Sequence, residues 1–99
     1  MSEKGDVYIA HEAVEDDHWL ACQPSAGHEI VINNIYHQDD IELERFDGSN
    51  VISFDPRSGA GALVQQSFRC TNTEYLRVKN VSGETKRIMA DGAYTKVPE

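Results

Sequence analysis

The sequence has few prolines, few cysteines and no long hydrophobic run. Its 99 residues include three prolines and two cysteines, and they contain no stretch of about 18 apolar residues such as a membrane-spanning helix needs. The N-terminal stretch also lacks the apolar segment of a secretory signal. We therefore expect no membrane insertion and no signal peptide. We expect Cys22 and Cys70 to be free thiols, with a single bridge between them as the alternative, because two cysteines make no disulfide framework and lack zinc-finger spacing.

Basic residues are scarce in the first half of the chain. Residues 1–44 hold eleven acids and one base, Lys4, whereas residues 45–99 hold six acids and eight bases. The formal net charge is −8, and because an acidic protein repels phosphate backbones, nucleic acid is not an expected partner. The asymmetry either serves solubility alone, or it lets the acidic half dock on the basic half of a second subunit or on a basic partner.

No catalytic motif is present in the sequence. Ser58 does not lie in a G-x-S-x-G elbow, and the glycines that follow it lack the lysine and helix of a phosphate-binding loop. The four histidines follow no zinc spacing and include no His-x-His pair of the cupin kind; they are His11, His18, His28 and His37. We predict a protein that is not an enzyme, with no catalytic residue, cofactor or metal. A metal-dependent enzyme of cupin-like shape, built on these histidines, is a third hypothesis.

Short alternating segments separated by Gly, Asp or Asn turns make up most of the sequence. Residues 74–90 read as a hairpin that turns at Gly83, with Leu76 and Val78 on one face of its first limb. In residues 28–37 the apolar positions change from even to odd at Asn33 and Asn34, which predicts a β-bulge because one extra residue reverses the faces of a strand.

The remaining segments complete an all-β pattern. We predict a hairpin at Asp47-Gly48, a turn at Asp91-Gly92, a long loop over 55–61 that contains Pro56, and Trp19 at the edge of the core. The other predicted strands are 6–10, 18–23, 41–46, 51–54, 62–70 and 93–97. This pattern predicts a single antiparallel β-sandwich over residues 1–99, jelly-roll-like, with about eight short strands. Residues 1–5 are predicted to be a flexible tail, and residues 6–26 a candidate N-terminal arm.

Surface residues are the remaining candidates for function. A loop as long as 55–61 in a small domain is either functional or simply mobile, and exposed bases near it are available to a partner or to solvent. The candidate partner surface consists of Trp19, Pro56, Arg57, Arg69, Arg77 and Lys79.

Three stretches carry a resemblance to a group of known proteins. They are GHEIVINNIYH from Gly27, IELERFDGSNVISFD from Ile41, and EYLRVKNVSGETKRIMADG from Glu74. These stretches resemble small β-sandwich virion accessory proteins of tailed phages, in which an Asp-Gly hairpin precedes a Tyr-Leu-Arg strand. Residues 1–26 carry no such resemblance.

The resemblance implies a non-enzymatic virion protein made in the host cytoplasm. The role that the resemblance implies first is that of a capsid decoration (cement) protein, or of a head or tail fibre part. Such a protein would form a homotrimer and bind the major capsid protein or another virion protein. An N-terminal arm would then add a strand to a neighbour, and repeated weak contacts would add by avidity. The alternative is a carbohydrate- or receptor-binding module that uses Trp19, Tyr36, Tyr75 or Tyr94 as stacking platforms.

Overall fold

Alternation of apolar and polar side chains gives the chain a series of strands, each with one face turned inward. A computed structural model describes residues Glu3–Pro98, and Met1, Ser2 and Glu99, which include part of the predicted tail, lie outside it. Between Glu3 and Pro98 there is no helix, and hence none long and apolar enough to cross a membrane. The strands of this region are β1 (Val7–Val14), β2 (Trp19–Cys22), β3 (Glu29–His37), β4 (Ile41–Phe46), β5 (Val51–Arg57), β6 (Gly61–Leu63), β7 (Phe68–Thr71), β8 (Tyr75–Asn80) and β9 (Lys86–Lys96).

The strands form two antiparallel sheets that pack face to face. Sheet A has the order β1-β9-β3, with β6 and β7 both paired to the far side of β3, and sheet B has the order β2-β8-β4-β5. Taken as one interrupted strand, β6 and β7 complete the strand order of a jelly roll. The predicted antiparallel β-sandwich of jelly-roll type is therefore confirmed.

Apolar side chains from the inner faces of both sheets form the core. On β3, Ile30, Ile32 and Ile35 are all fully buried, and the pairing with β9 shifts register between Ile32 and Asn34. The predicted bulge is therefore confirmed, and it keeps all three isoleucines on the inner face. The hairpin at Asp47-Gly48 is confirmed as well, because β4 and β5 pair antiparallel up to Phe46 and Val51 and Gly48 has a φ of 100°.

The predicted hairpin over 74–90 is wrong. The inward faces are as predicted, since Leu76, Val78, Ile88 and Ala90 are buried, but β8 lies in sheet B and β9 in sheet A. Both edges of β8 are occupied by β2 and β4, so the chain crosses from one sheet to the other after Asn80. Alternation of side chains defines the two faces of a strand but does not define which strands lie beside it. The sequence therefore suggested that β8 and β9 pair with each other only because they are consecutive.

The predicted turn at Asp91-Gly92 is also wrong, because both residues lie inside β9. Gly92 faces Ile32 across the ladder at the β3 bulge, and a Cβ built on it would overlap the backbone carbonyl of Val31. The glycine is needed here for close approach of two strands and not for a turn.

Three further segment boundaries differ from the prediction. The predicted strand 62–70 is split into β6 and β7, because Asn33 of the bulge bonds the intervening backbone: Gln66 N–H donates to Asn33 O at 2.8 Å, and Asn33 Nδ2 donates to Gln66 O at 3.0 Å. The first strand extends to Val14. The predicted loop 55–61 is shorter, because β5 continues to Arg57 with Pro56 on an edge strand, where a missing N–H is tolerated.

Residues 6–26, the candidate arm, contribute to both sheets of their own chain. β1 pairs with β9 over its whole length, and β2 pairs with β8 from Trp19 to Cys22. Gly5 N–H donates to Tyr94 O at 2.7 Å, which ties the start of this region to β9.

Replacing Gly92 with alanine tests the close approach of β9 and β3. We expect Gly92→Ala to lower the free energy of unfolding by about 2 kcal/mol or more, because the new methyl group overlaps backbone that cannot move alone. Gly61→Ala is the matched control, since a Cβ there would lie 3.6 Å from the His37 ring, an ordinary contact. Urea unfolding of both variants measures the difference, and equal stabilities would contradict the account.

Candidate functional site

Four of the six predicted partner residues share the outer face of sheet B. The register places Trp19 beside Lys79, Lys79 beside Glu42, and Glu42 beside Pro56, so one row crosses all four strands. The next row runs through Arg77 and its neighbour on β4. Residues that are far apart in sequence therefore form one continuous, mostly polar surface.

Arg77 was predicted to be exposed, and this is wrong. Its guanidinium lies 3.7 Å from the centre of the Trp19 ring, and it donates two hydrogen bonds to Glu44 Oε1, from Nη2 at 2.8 Å and from Nε at 3.1 Å. The side chains of Arg77 and Glu44 are only 14% and 7% exposed. A stacked and ion-paired guanidinium holds this face together and is not free for a partner.

Trp19 does not anchor the edge of the core as predicted. Its side chain lies on the outer face of sheet B and is 42% exposed, with Arg77 covering the ring at 3.7 Å. Leu20 and Cys22, the alternate residues of the same short strand, are the ones that enter the core. An aromatic residue can therefore be placed on the wrong face when a strand of four residues gives too little alternation to read.

Lys79 lies on the interior strand β8 of this surface, and Pro56 lies on the edge strand β5. Lys79 Nζ is 3.1 Å from Asp17 Oδ1, and this contact raises the pKa of Lys79 above its ordinary value. Pro56 is exposed on β5, at the far edge of the sheet. The Trp19 ring on β2 and the Pro56 ring on β5 therefore lie at the two edges of the surface, and the amine of Lys79 between them is already paired.

Arg57 and Arg69 lie away from this surface. Arg57 forms a local ion pair with Asp55 at 3.0 Å. Arg69 is on β7 of sheet A, 73% exposed, and pairs with Glu29 at 2.7 Å. Hydrogen bonds from Arg69 and from Thr95 lower the pKa of Glu29. The structure therefore does not join the six predicted residues into a single site.

A second surface, which we term the apolar face of sheet A, was not singled out by the sequence. Across the ladders, Val7 neighbours Ala93, which neighbours Val31. Val7 and Ile9 are 68% and 62% exposed. Further along the same face His11, Met89, Tyr36 and Ala62 form another row. The alternation of Val7 and Ile9 with Tyr8 was visible in the sequence, but it is Tyr8 that packs on the core.

A pocket of about 250 Å³ opens at one end of this face. His11 and His37 both contribute to it, and the other lining residues are Tyr36, Gln38, Gly61, Arg87, Ile88 and Met89. His37 is buried, and its Nδ1 lies 3.0 Å from the carbonyl oxygen of Asp39. Among residues 3–98, no three side chains from His, Cys, Asp or Glu are placed to hold one metal ion.

The aromatic residues considered for carbohydrate stacking do not form one platform. Trp19 and Tyr75 belong to sheet B, where Tyr75 packs on Phe46 with ring centres 5.3 Å apart. Tyr94 and Tyr36 both belong to sheet A. Tyr94 packs on the core and edge-to-face on Tyr8, with ring centres 5.8 Å apart, whereas Tyr36 is exposed on the outer face. A flat sugar-binding surface would need several of these rings on the same face.

Cys22 and Cys70 are free thiols that are fully buried between the sheets. Burial raises the pKa of both, and the Cys70 sulfur accepts a hydrogen bond from Leu76 N–H at 3.4 Å. The free thiols expected from the sequence are confirmed, and both are core side chains, more deeply buried than the half-buried positions that we expected.

No model of a known protein family matches the chain, and no curated protein matches it. The resemblance to phage virion proteins therefore stays an expectation that rests on the strand and turn residues quoted above.

Removing Arg77 tests whether the polar surface of sheet B is held together from within. We expect Arg77→Ala to destabilise the protein by about 3 kcal/mol, since it leaves the carboxylate of Glu44 buried without its partner. Arg69→Ala, which breaks an exposed pair, should cost less than about 1 kcal/mol. Chemical denaturation of both variants checks this, and a larger loss for Arg69→Ala would contradict it.

Proposed function

We propose that the protein is a non-enzymatic structural part of a virion, a capsid decoration protein that stabilises a phage head by bridging neighbouring capsid subunits. The observation that carries the proposal is the apolar face of sheet A. Val7 and Ile9 on β1 and Tyr36 on β3 are exposed there, on either side of β9, and exposed apolar side chains grouped on one face favour contact with another protein surface.

The strand and turn residues from Gly27 onward support the same proposal through their resemblance to virion accessory proteins. The jelly roll is compatible with it, because this architecture occurs in viral capsid domains, in lectins and in cupins. Since one fold serves several functions, the support comes from the exposed surface and not from the topology alone. The homotrimer that the resemblance implies stays a prediction, as does the alternative of a carbohydrate- or receptor-binding module.

Binding to assembled capsid shells tests the proposal. The protein should sediment with shells of the virus that encodes it, and Tyr36→Lys should reduce the bound fraction about tenfold, because a charge must then be desolvated in an apolar contact. Val51→Lys is the matched control, since Val51 is similarly exposed (42% against 38%) but lies on sheet B. Unchanged melting temperatures would show that both variants are folded.

Two results would contradict the proposal. One is that wild-type protein stays in the supernatant at shell concentrations that saturate the assay. The other is equal binding by Tyr36→Lys and wild type, which would move the contact away from the apolar face of sheet A.

A further inference from the structure

Three of the four sheet edges in residues 3–98 are short or interrupted. At the edges of sheet B, β2 has four residues, and β5 carries Pro56 and a register shift opposite Leu43 and Glu44. At one edge of sheet A, β6 and β7 have three and four residues. Features of this kind prevent edge strands from pairing with other chains.

The fourth edge, β1, is different. It has eight residues, contains no proline, glycine or lysine, and pairs with β9 without a register shift. Its outward side chains Val7 and Ile9 are 68% and 62% exposed. An edge strand of this length and composition is a template for a further strand.

The direction of the free backbone groups follows from one hydrogen bond. Tyr94 N–H donates to the carbonyl of Asp6 at 2.9 Å, so Asp6 faces β9. Because successive residues of a strand direct their backbone groups to opposite sides, Tyr8, Ala10 and Glu12 bond β9 as well. The residues that direct N–H and C=O away from the sheet are Val7, Ile9, His11 and Ala13.

We propose that β1 pairs antiparallel with β1 of a second copy of this chain, about a two-fold axis at Ala10. This register sets Val7 opposite Ala13 and Ile9 opposite His11, and it forms about eight backbone hydrogen bonds. Ala10 faces its own copy at the axis, where the two chains approach most closely and a small side chain fits. Tyr8 lies opposite Glu12, so the single acid of each strand does not face the other.

Residues near the strand ends favour the same register. A shift of two residues that moved the axis to Ile9 would set Asp6 opposite Glu12, and like charges that face each other are destabilising. A shift that moved the axis to His11 would set Val7 opposite Glu15, which lies beyond the end of β1. A shift of one residue would set the inward-facing side chains of one strand opposite the outward-facing side chains of the other.

The pairing extends the surface invoked in the proposed function, on which this inference otherwise does not depend. Two five-stranded sheets join into one continuous sheet, and the apolar faces of both copies lie on the same side. A two-fold contact closes at two copies, whereas the resemblance implies three, so the mass in solution separates the two assemblies.

Sedimentation equilibrium over a range of concentrations tests the pairing. We expect a species of twice the chain mass of 11.1 kDa. Ile9→Lys should raise its dissociation constant at least about tenfold, because it places a charge in the contact. Ile52→Lys, at an equally exposed position on β5 (64% against 62%), should leave the constant unchanged.

Ile9→Pro removes an N–H from the free edge and not from the β9 ladder, so it should weaken the dimer while the monomer stays folded.

A monomer at all concentrations, a trimer, or a dimer that Ile9→Pro leaves intact would overturn the inference. A monomer that still binds capsid shells would overturn the pairing and leave the proposed function standing. A dimer that does not bind capsid shells would contradict the proposed function and leave the pairing standing.

Discussion

The side chain of Asn80 holds the two sheets in their relative positions. It is 1% exposed, and its Nδ2 donates to Val14 O at 2.7 Å and to Glu84 O at 2.6 Å, while its Oδ1 accepts from Ser82 N–H at 3.0 Å. One amide therefore joins the end of β1 in sheet A, the end of β8 in sheet B and the crossing between the sheets. An aspartate at this position would offer only oxygen to the two carbonyls, so the amide is specifically required.

This arrangement also fixes β1, although that strand lies at the edge of sheet A. Its inner side packs Tyr8 and Ala10 against the core, and its end is fixed by the bond from Asn80 to Val14. The outer backbone groups of the strand remain available because β9 occupies only one side of it. The anchoring that completes the sandwich therefore also leaves one edge of sheet A free to pair with another chain.

The sequence predicted the faces of strands better than their neighbours. Alternation in β3 and β4, the bulge at Asn33 and the Asp-Gly hairpin were correct, because each depends on residues close in the chain. The neighbours of β9, which are β1 and β3, could not be predicted from local residues because both are distant in the chain. Gly92 resembled a turn glycine, although its real constraint is the carbonyl of Val31 on a distant strand.

The candidate surfaces also depend on which strands are neighbours, and the sequence did not show this. The six candidate residues were chosen as exposed bases, a proline and an aromatic residue. The side chain of Arg77 is nevertheless only 14% exposed and already paired, because the β2–β8 register brings Trp19 and the β4–β8 register brings Glu44 against its guanidinium. The sequence predicts a strand over 6–10, but only the sheet order shows that this strand is an edge and that Val7 and Ile9 are exposed on its outer face.

Amide hydrogen exchange along β1 is the most direct test of the claim that this edge is an assembly surface. In concentrated protein we predict protection at every residue from Val7 to Ala13. On dilution, protection should be lost at Val7, Ile9, His11 and Ala13 and retained at Tyr8, Ala10 and Glu12, which bond β9. Free exchange at the four outward positions at every concentration would contradict the account.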